Sequence, residues 1–227
     1  VTTASRTTSH EPALGTARLS EAGLLEHVEQ GARWPALLWT PGPGWRMLST
    51  AVLGGGWGER HWVLNAQVPP GYGRTDPADH LAAIAAGAGA TGPGVGLMTA
   101  AHLTDRGWAT DGGVHALVTA GVGVHGWAAA PTRDVGADAA SDVGADIGTD
   151  VGPRAGAGYH AGTVNIVFAL PVPLSPSALV NAVTTATEAK VQALRDAGYD
   201  ASGTPTDAVC AAAPDAGRGR SEDPFAG

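Results

Sequence analysis

The chain has 227 residues, 44% of them hydrophobic and 15% charged, with a formal net charge of −8. That length suffices for one sizeable core, and the acidic balance argues against nucleic acid or an anionic membrane surface as partner. The single cysteine, Cys210, excludes an internal disulfide and points to a reducing compartment.

No uncharged apolar run reaches the roughly 18 residues of a transmembrane helix. The opening 'VTTASRTTSHEPALGTARLS' lacks the apolar stretch of a secretory signal. A cytoplasmic protein is expected. Residues 1–18 and 214–227 read as disordered tails around a single domain at 19–213.

The first expected element is a helix over 'SEAGLLEHVEQGA', with Ser20 as its cap and Leu24, Leu25 and Val28 at amphipathic spacing. 'PALLWT', 'WRMLSTAVL' and 'HWVLNAQV' follow as short strands. 'DPADHLAAIAAGA' reads as a second helix, with Asp76 in the cap position and Pro77 opening the first turn. 'VGLMTAA', 'VHALVTAGV' and 'TVNIVFAL' read as buried strands. Between the last two, Asp-Val-Gly recurs at 134, 142 and 150, and 134–152 reads as a solvated acidic loop. 'SPSALVNAVTTATEAKVQALRDAG' is the clearest helix, capped by Ser175, opened by Pro176 and ended by Gly198. 'DAVCAAA' is a final strand. About seven strands in one mixed sheet and about three helices make an α+β layered domain.

The last helix carries polar groups where apolar ones are expected. At about 100° per residue, Val180, Val191 and Leu194 fall near Thr187, which places Thr187 near the middle of the buried stripe. Lys190 lies about 60° to one side and Glu188 about 100° to the other. Two readings of Lys190 stand: a stem covering apolar surface with its head in water, or an ammonium aimed into a pocket. Glu188 reads as a boundary charge or a pocket base, and Thr187 as a hydroxyl bonding back to the preceding turn or a ligand contact. The turn 'ASGTPTDA' adds Thr204, Thr206 and Asp207, and Asp207 either organises that turn or serves chemistry.

Elsewhere, Asn65 ends an apolar strand, and Tyr72 and Asp76 lie in the loop before a helix. Thr99 and Thr119 interrupt apolar strands, as cross-strand partners or as hydroxyls lining one pocket. Gly54, Gly55 and Gly56 form no phosphate loop, because no Lys-Ser/Thr pair follows. The eight histidines show no metal-ligand spacing, so no metal is expected. Cys210 reads as an inert buried thiol. Seven tryptophans against two phenylalanines would suit a planar ligand, or a core.

'MLSTAVLGGGW', 'WVLNAQVPPGYGRTDP', 'VGLMTAA', 'VTAGVGV', 'AGTVNI', 'ATEAKVQAL' and 'GTPTDAV' occur in the order of one family. In these motifs, over residues 35–213, the chain resembles the adenosylcobinamide amidohydrolases. The pattern falls on Asn65, Tyr72, Asp76, Pro77, Met98, Thr99, Ala100, Thr119, Gly121, Thr163 and Asn165. It continues on Thr187, Glu188, Lys190, Gly203, Thr204, Thr206 and Asp207. The family pattern has an Asn where this chain has 'VGVH', so His125 stands in place of an amide contact, and Pro205 replaces a glycine.

The resemblance implies hydrolysis of the amide that holds the aminopropanol arm of adenosylcobinamide, giving adenosylcobyric acid in cobalamin salvage. The corrinoid is then substrate, and no further cofactor is implied. The rival of a different class is a corrinoid carrier without catalysis. For catalysis the expected base is Glu188, with Asp207 second, while Lys190 orients the scissile carbonyl and Asn65 donates to it. Tyr72, Asp76, Thr99, Thr119, Asn165, Thr187, Thr204 and Thr206 are expected to bind substrate. A competing mechanism uses a threonine freed by self-cleavage at Gly162–Thr163 or Gly203–Thr204. Oligomeric state leaves no mark in the sequence.

Overall fold

The computed structural model describes residues 18–129 and 162–215. The expected tails and the acidic repeat at 134–152 lie outside them, apart from Arg18, Pro214 and Asp215. Within them the fold is mixed α+β, but with two sheets, ten strands and two α-helices in place of one sheet of about seven strands and three helices.

The segment expected to be the first helix is a short 3-10 turn (Leu19–Glu21) followed by strand β1 (Gly23–Glu29). β1 pairs antiparallel with β2 (Ala32–Trp39) through the two-residue loop Gln30-Gly31. Both loop residues have positive φ, 51° and 74°, the twist that suits a tight hairpin. Leu25, His27 and Glu29 turn inward, whereas Leu24 and Val28 are 58% and 67% exposed. Two polar residues on the inward face hid the period-two pattern.

β3 (Trp45–Ser49), β4 (Gly56–Glu59) and β5 (Trp62–Gln67) come next. Helix α1 (Pro77–Gly87) then crosses from β5 to β6 (Gly94–Thr99), and these two strands are parallel. β7 (Gly107–Asp111) and β8 (Val114–Gly121) form a hairpin, and β9 (Thr163–Ala169) pairs with β8. Helix α2 (Pro176–Asp196) crosses from β9 to its parallel neighbour β10 (Ala208–Pro214). The sheets run β1-β2-β5-β6 and β4-β3-β10-β9-β8-β7.

The layering follows from which side chains face which. Leu37, Trp39, Val63, Val95 and Leu97 of the smaller sheet meet Trp45, Met47, Leu117, Val167 and Cys210 of the larger in one buried cluster. Leu64 and Ala66 face the other way, against Leu81 and Ile84 of α1. Val164, Ile166, Phe168, Val209 and Ala211 pack against Leu179 of α2. The order is helix, sheet, sheet, helix, with each helix on the outer face of its own parallel strand pair. The small residues of β10, fully buried from Cys210 to Ala213, leave room for both layers. Burial pushes the Cys210 thiol up to about 12, so it stays protonated and inert.

Ser175 caps α2 by accepting the Ala178 amide, and Gly198 follows it at φ 89°. Asp76 precedes α1, but its carboxylate pairs with Arg74 instead of capping the helix. Among the described residues no helix is long and apolar enough to cross a membrane.

Candidate active site

The inward side of α2 is the row Leu179, Val183, Ala186, Lys190 and Leu194. Its centre is Lys190, about 60° around the helix from where the spacing of valines put it. Thr187 is exposed and its hydroxyl bonds back to the Val183 carbonyl at 2.9 Å. Val180, which drew the expected stripe toward Thr187, is 54% exposed.

A lysine in the middle of a packing face needs a partner. Its ammonium meets Oδ2 of Asp207, and both side chains are only 10% exposed. Asp207 sits immediately before β10. Its Oδ1 accepts the Val164 amide and the Thr204 hydroxyl, and its Oδ2 also accepts the Thr204 amide. Burial pushes this carboxyl up, but the Lys190 ammonium, the Thr204 hydroxyl and the two amides outweigh it and hold it below the usual carboxylate range. Asp207 is therefore ionised at neutral pH, with both oxygens engaged.

Gly203 is fitted to this pair. Its φ is 156°, and a Cβ there would fall on Asp207 Oδ2 and Lys190 Nζ. The turn is tied to the chain leaving β8 by amide–carbonyl bonds between Gly126 and Gly203 and from Ser202 to Gly126.

Lys190, Thr204, Thr187, His125 and Trp127 all line one cavity of about 510 Å³. The aliphatic stem of Lys190 also borders an apolar groove between α2 and the outer faces of β8 and β9. The stem covers apolar surface as the first reading has it, but the head is not in water: it is buried against Asp207 at the edge of the cavity. His125 donates from Nδ1 to the Val122 carbonyl at 2.7 Å.

The other expected site residues fall into two further groups. Asn65, Thr99, Thr119 and Asn165 are buried between the sheets, each at most 2% exposed. Asn65 donates to Thr119 at 3.0 Å, and Asn165 donates to Asn65 at 2.9 Å and to the Met98 carbonyl at 3.0 Å. Thr99 accepts the Ala101 amide. This band braces the two sheets against each other, and Asn65 is engaged there rather than at the cavity. Thr206 stands at its margin, with its hydroxyl 2.6 Å from that of Thr163.

Tyr72 and Asp76 lie on the α1 side of the smaller sheet. The Tyr72 hydroxyl meets His80 Nδ1 at 2.8 Å, and His80 Nε2 meets Glu29 at 3.3 Å. Burial and then Arg74 hold His80 below its ordinary value, and burial raises Tyr72. Buried Glu29, His27 and His80 left no signal in the sequence, since polar residues on inward faces invert the hydrophobic pattern.

Glu188 is exposed, about 160° around α2 from Lys190, and makes no hydrogen bond or ion pair among the described residues. It does not share the cavity with the ammonium. If the protein has the amidohydrolase activity that the motifs imply, Glu188→Gln should leave it within a few fold, measured as turnover at saturating substrate.

The sequence model of a family described as adenosylcobinamide amidohydrolase matches residues 20–227. The chain belongs to this family. A curated protein of Methanosarcina mazei named adenosylcobinamide amidohydrolase is 31% identical over 160 residues. That alignment takes in 70% of this chain and 66% of the relative, just under two thirds of its length. No solved structure matches the chain. The adenosylcobinamide amidohydrolase match spans all three polar groups, the Lys190–Asp207 corner included.

Proposed function

We propose that this protein hydrolyses the amide joining the aminopropanol arm to a cobinamide-type corrinoid, releasing the amine and leaving the corrinoid carboxylic acid. The observation that carries the reading is the buried Lys190–Asp207 pair, with Thr204 beside it, at a cavity inside the family's matched span. An amide resists hydrolysis until its carbonyl is polarised and its developing oxyanion held. Lys190 has three N–H donors. Asp207 takes one, leaving two to serve a carbonyl in the cavity.

The cavity suits an arm rather than a macrocycle. A bound arm would reach Lys190 while the corrin ring stays at the rim, where Trp127 is 41% exposed and anchored by its indole N–H to Asp200 at 3.2 Å. Six of the seven tryptophans do not line this cavity, so any ring contact rests on Trp127. The corrinoid's cobalt is part of the substrate.

The test is incubation with adenosylcobinamide followed by mass spectrometry. Stoichiometric aminopropanol and adenosylcobyric acid are expected. Tight corrinoid binding with no amine released would mark a carrier instead.

A further inference from the structure

We propose that Thr204 is the nucleophile of this hydrolysis and acts from the uncleaved chain; the proposal rests on the amidohydrolase reading above. The argument is one of elimination among hydroxyls. Thr187 donates to its own helix. Thr163 and Thr206 bond each other and the Gly162 carbonyl. Thr119 accepts from Asn65, and Thr99 accepts a backbone amide. Ser202 reaches the cavity, but it donates to the Gly126 carbonyl and accepts the Ala128 amide. Of these hydroxyls, only that of Thr204 both borders the cavity and donates to a carboxylate. Its proton points at Asp207, and its oxygen accepts no hydrogen bond among the described residues.

The neighbouring groups complete the requirement for covalent catalysis, a nucleophile touching a base that a third group orients. Asp207 Oδ1 is the base. Lys190, on Oδ2, orients it and faces the cavity. Thr204 Oγ1 bonds to the amide carbon while its proton passes to Asp207, and the carbonyl π pair moves onto oxygen beside the Lys190 ammonium. Collapse breaks the C–N bond, and the proton moves from Asp207 to the departing nitrogen. The amine leaves neutral, and an ester remains on Thr204. Water attacks that ester, gives a proton to Asp207, and the returning proton restores the hydroxyl as the acid departs. No oxidant, reductant or metal enters the balance. A carboxylate as well satisfied as Asp207 is a weak base, so its protonated form is short-lived and returns the proton to the departing nitrogen at collapse.

The experiment compares Thr204→Val and Thr204→Ser with the parent, and adds hydroxylamine to the parent. Thr204→Val should lose at least about 10³-fold in turnover and remain folded, with a lowered melting temperature from the hydrogen bond that Asp207 loses. Thr204→Ser should retain measurable turnover, because it keeps the hydroxyl. Hydroxylamine should divert product from acid to hydroxamate without slowing aminopropanol release, the signature of an acyl-enzyme formed before the branch. Turnover of Thr204→Val within tenfold of the parent overturns the proposal. Release of aminopropanol with no diverted hydroxamate overturns it in favour of direct attack by water. If the parent binds corrinoid and releases no amine, the amidohydrolase reading fails and the nucleophile with it.

Discussion

Lys190→Met is expected to lose about 3–5 kcal/mol of folding stability, the usual consequence of leaving one member of a buried ion pair without its partner. Both side chains are 10% exposed, so water does little to screen the carboxylate left behind. The methionine fills the stem's volume against β9 but supplies no positive charge. Urea unfolding would measure the loss. The pH dependence carries the sign. Asp207 is held below its ordinary value in the folded parent, so its contribution is present above about pH 4 and disappears as pH falls through its folded pKa. In the variant the unpaired carboxylate is relieved by protonation. The gap between the two proteins should therefore be widest at neutral pH and narrow in acid. On the proposed mechanism turnover should fall by at least about 10²-fold, since the proposed oxyanion donor goes with the charge. A gap independent of pH would show that packing, not the ion pair, accounts for the loss.

Gly203→Ala is expected to abolish most of the activity without removing a single functional group. The added methyl would occupy the position of Asp207 Oδ2 and Lys190 Nζ, and the backbone there is in a region that side-chain-bearing residues rarely adopt. Either the turn shifts or the pair parts. Overpacking of this kind costs about 1–3 kcal/mol. A displacement of about 1 Å at a catalytic carboxylate can lower turnover by roughly 10²-fold. A melting curve and steady-state kinetics would check both. Near-normal turnover in this variant would mean that the chemistry does not depend on the Lys190–Asp207 geometry.

What the sequence made legible depended on whether polarity and burial agreed. α2 announced itself through Ser175, Pro176 and Gly198, because local capping chemistry decides where a helix begins and ends. Its orientation was misjudged because the centre of its packing face is a lysine, and hydrophobic spacing pulled the wheel toward exposed Val180. β1 was taken for a helix for a related reason. His27 and Glu29 occupy its inward face, and Leu24 and Val28 point outward. The motif residues look alike in the sequence, yet they fall in three places: a cavity, an interlayer brace and the Tyr72–His80–Glu29 cluster. Only contacts distant in sequence, such as Asn165 with Asn65 and Asp207 with Lys190, separate those roles.

β10 has a consequence for how the chain comes to be assembled. Among the described residues it is the final strand in chain order, yet it lies in the interior of the six-stranded sheet, between β3 and β9. Until it arrives, β3–β4 and β9–β8–β7 are separate ladders, each with an unpaired rim facing the other. Its pairing reaches from Pro214 back to Trp45, a separation that makes closure slow relative to the local hairpins. A nascent chain emerging from the ribosome therefore holds two open strand edges until almost everything described here has been synthesised. That interval, with its exposure to mispairing between neighbouring chains, is when a chaperone would matter most to this protein. The carboxylate of Asp207 arrives just ahead of the same strand, so the Lys190–Asp207 pair and the closed sheet are completed in one event.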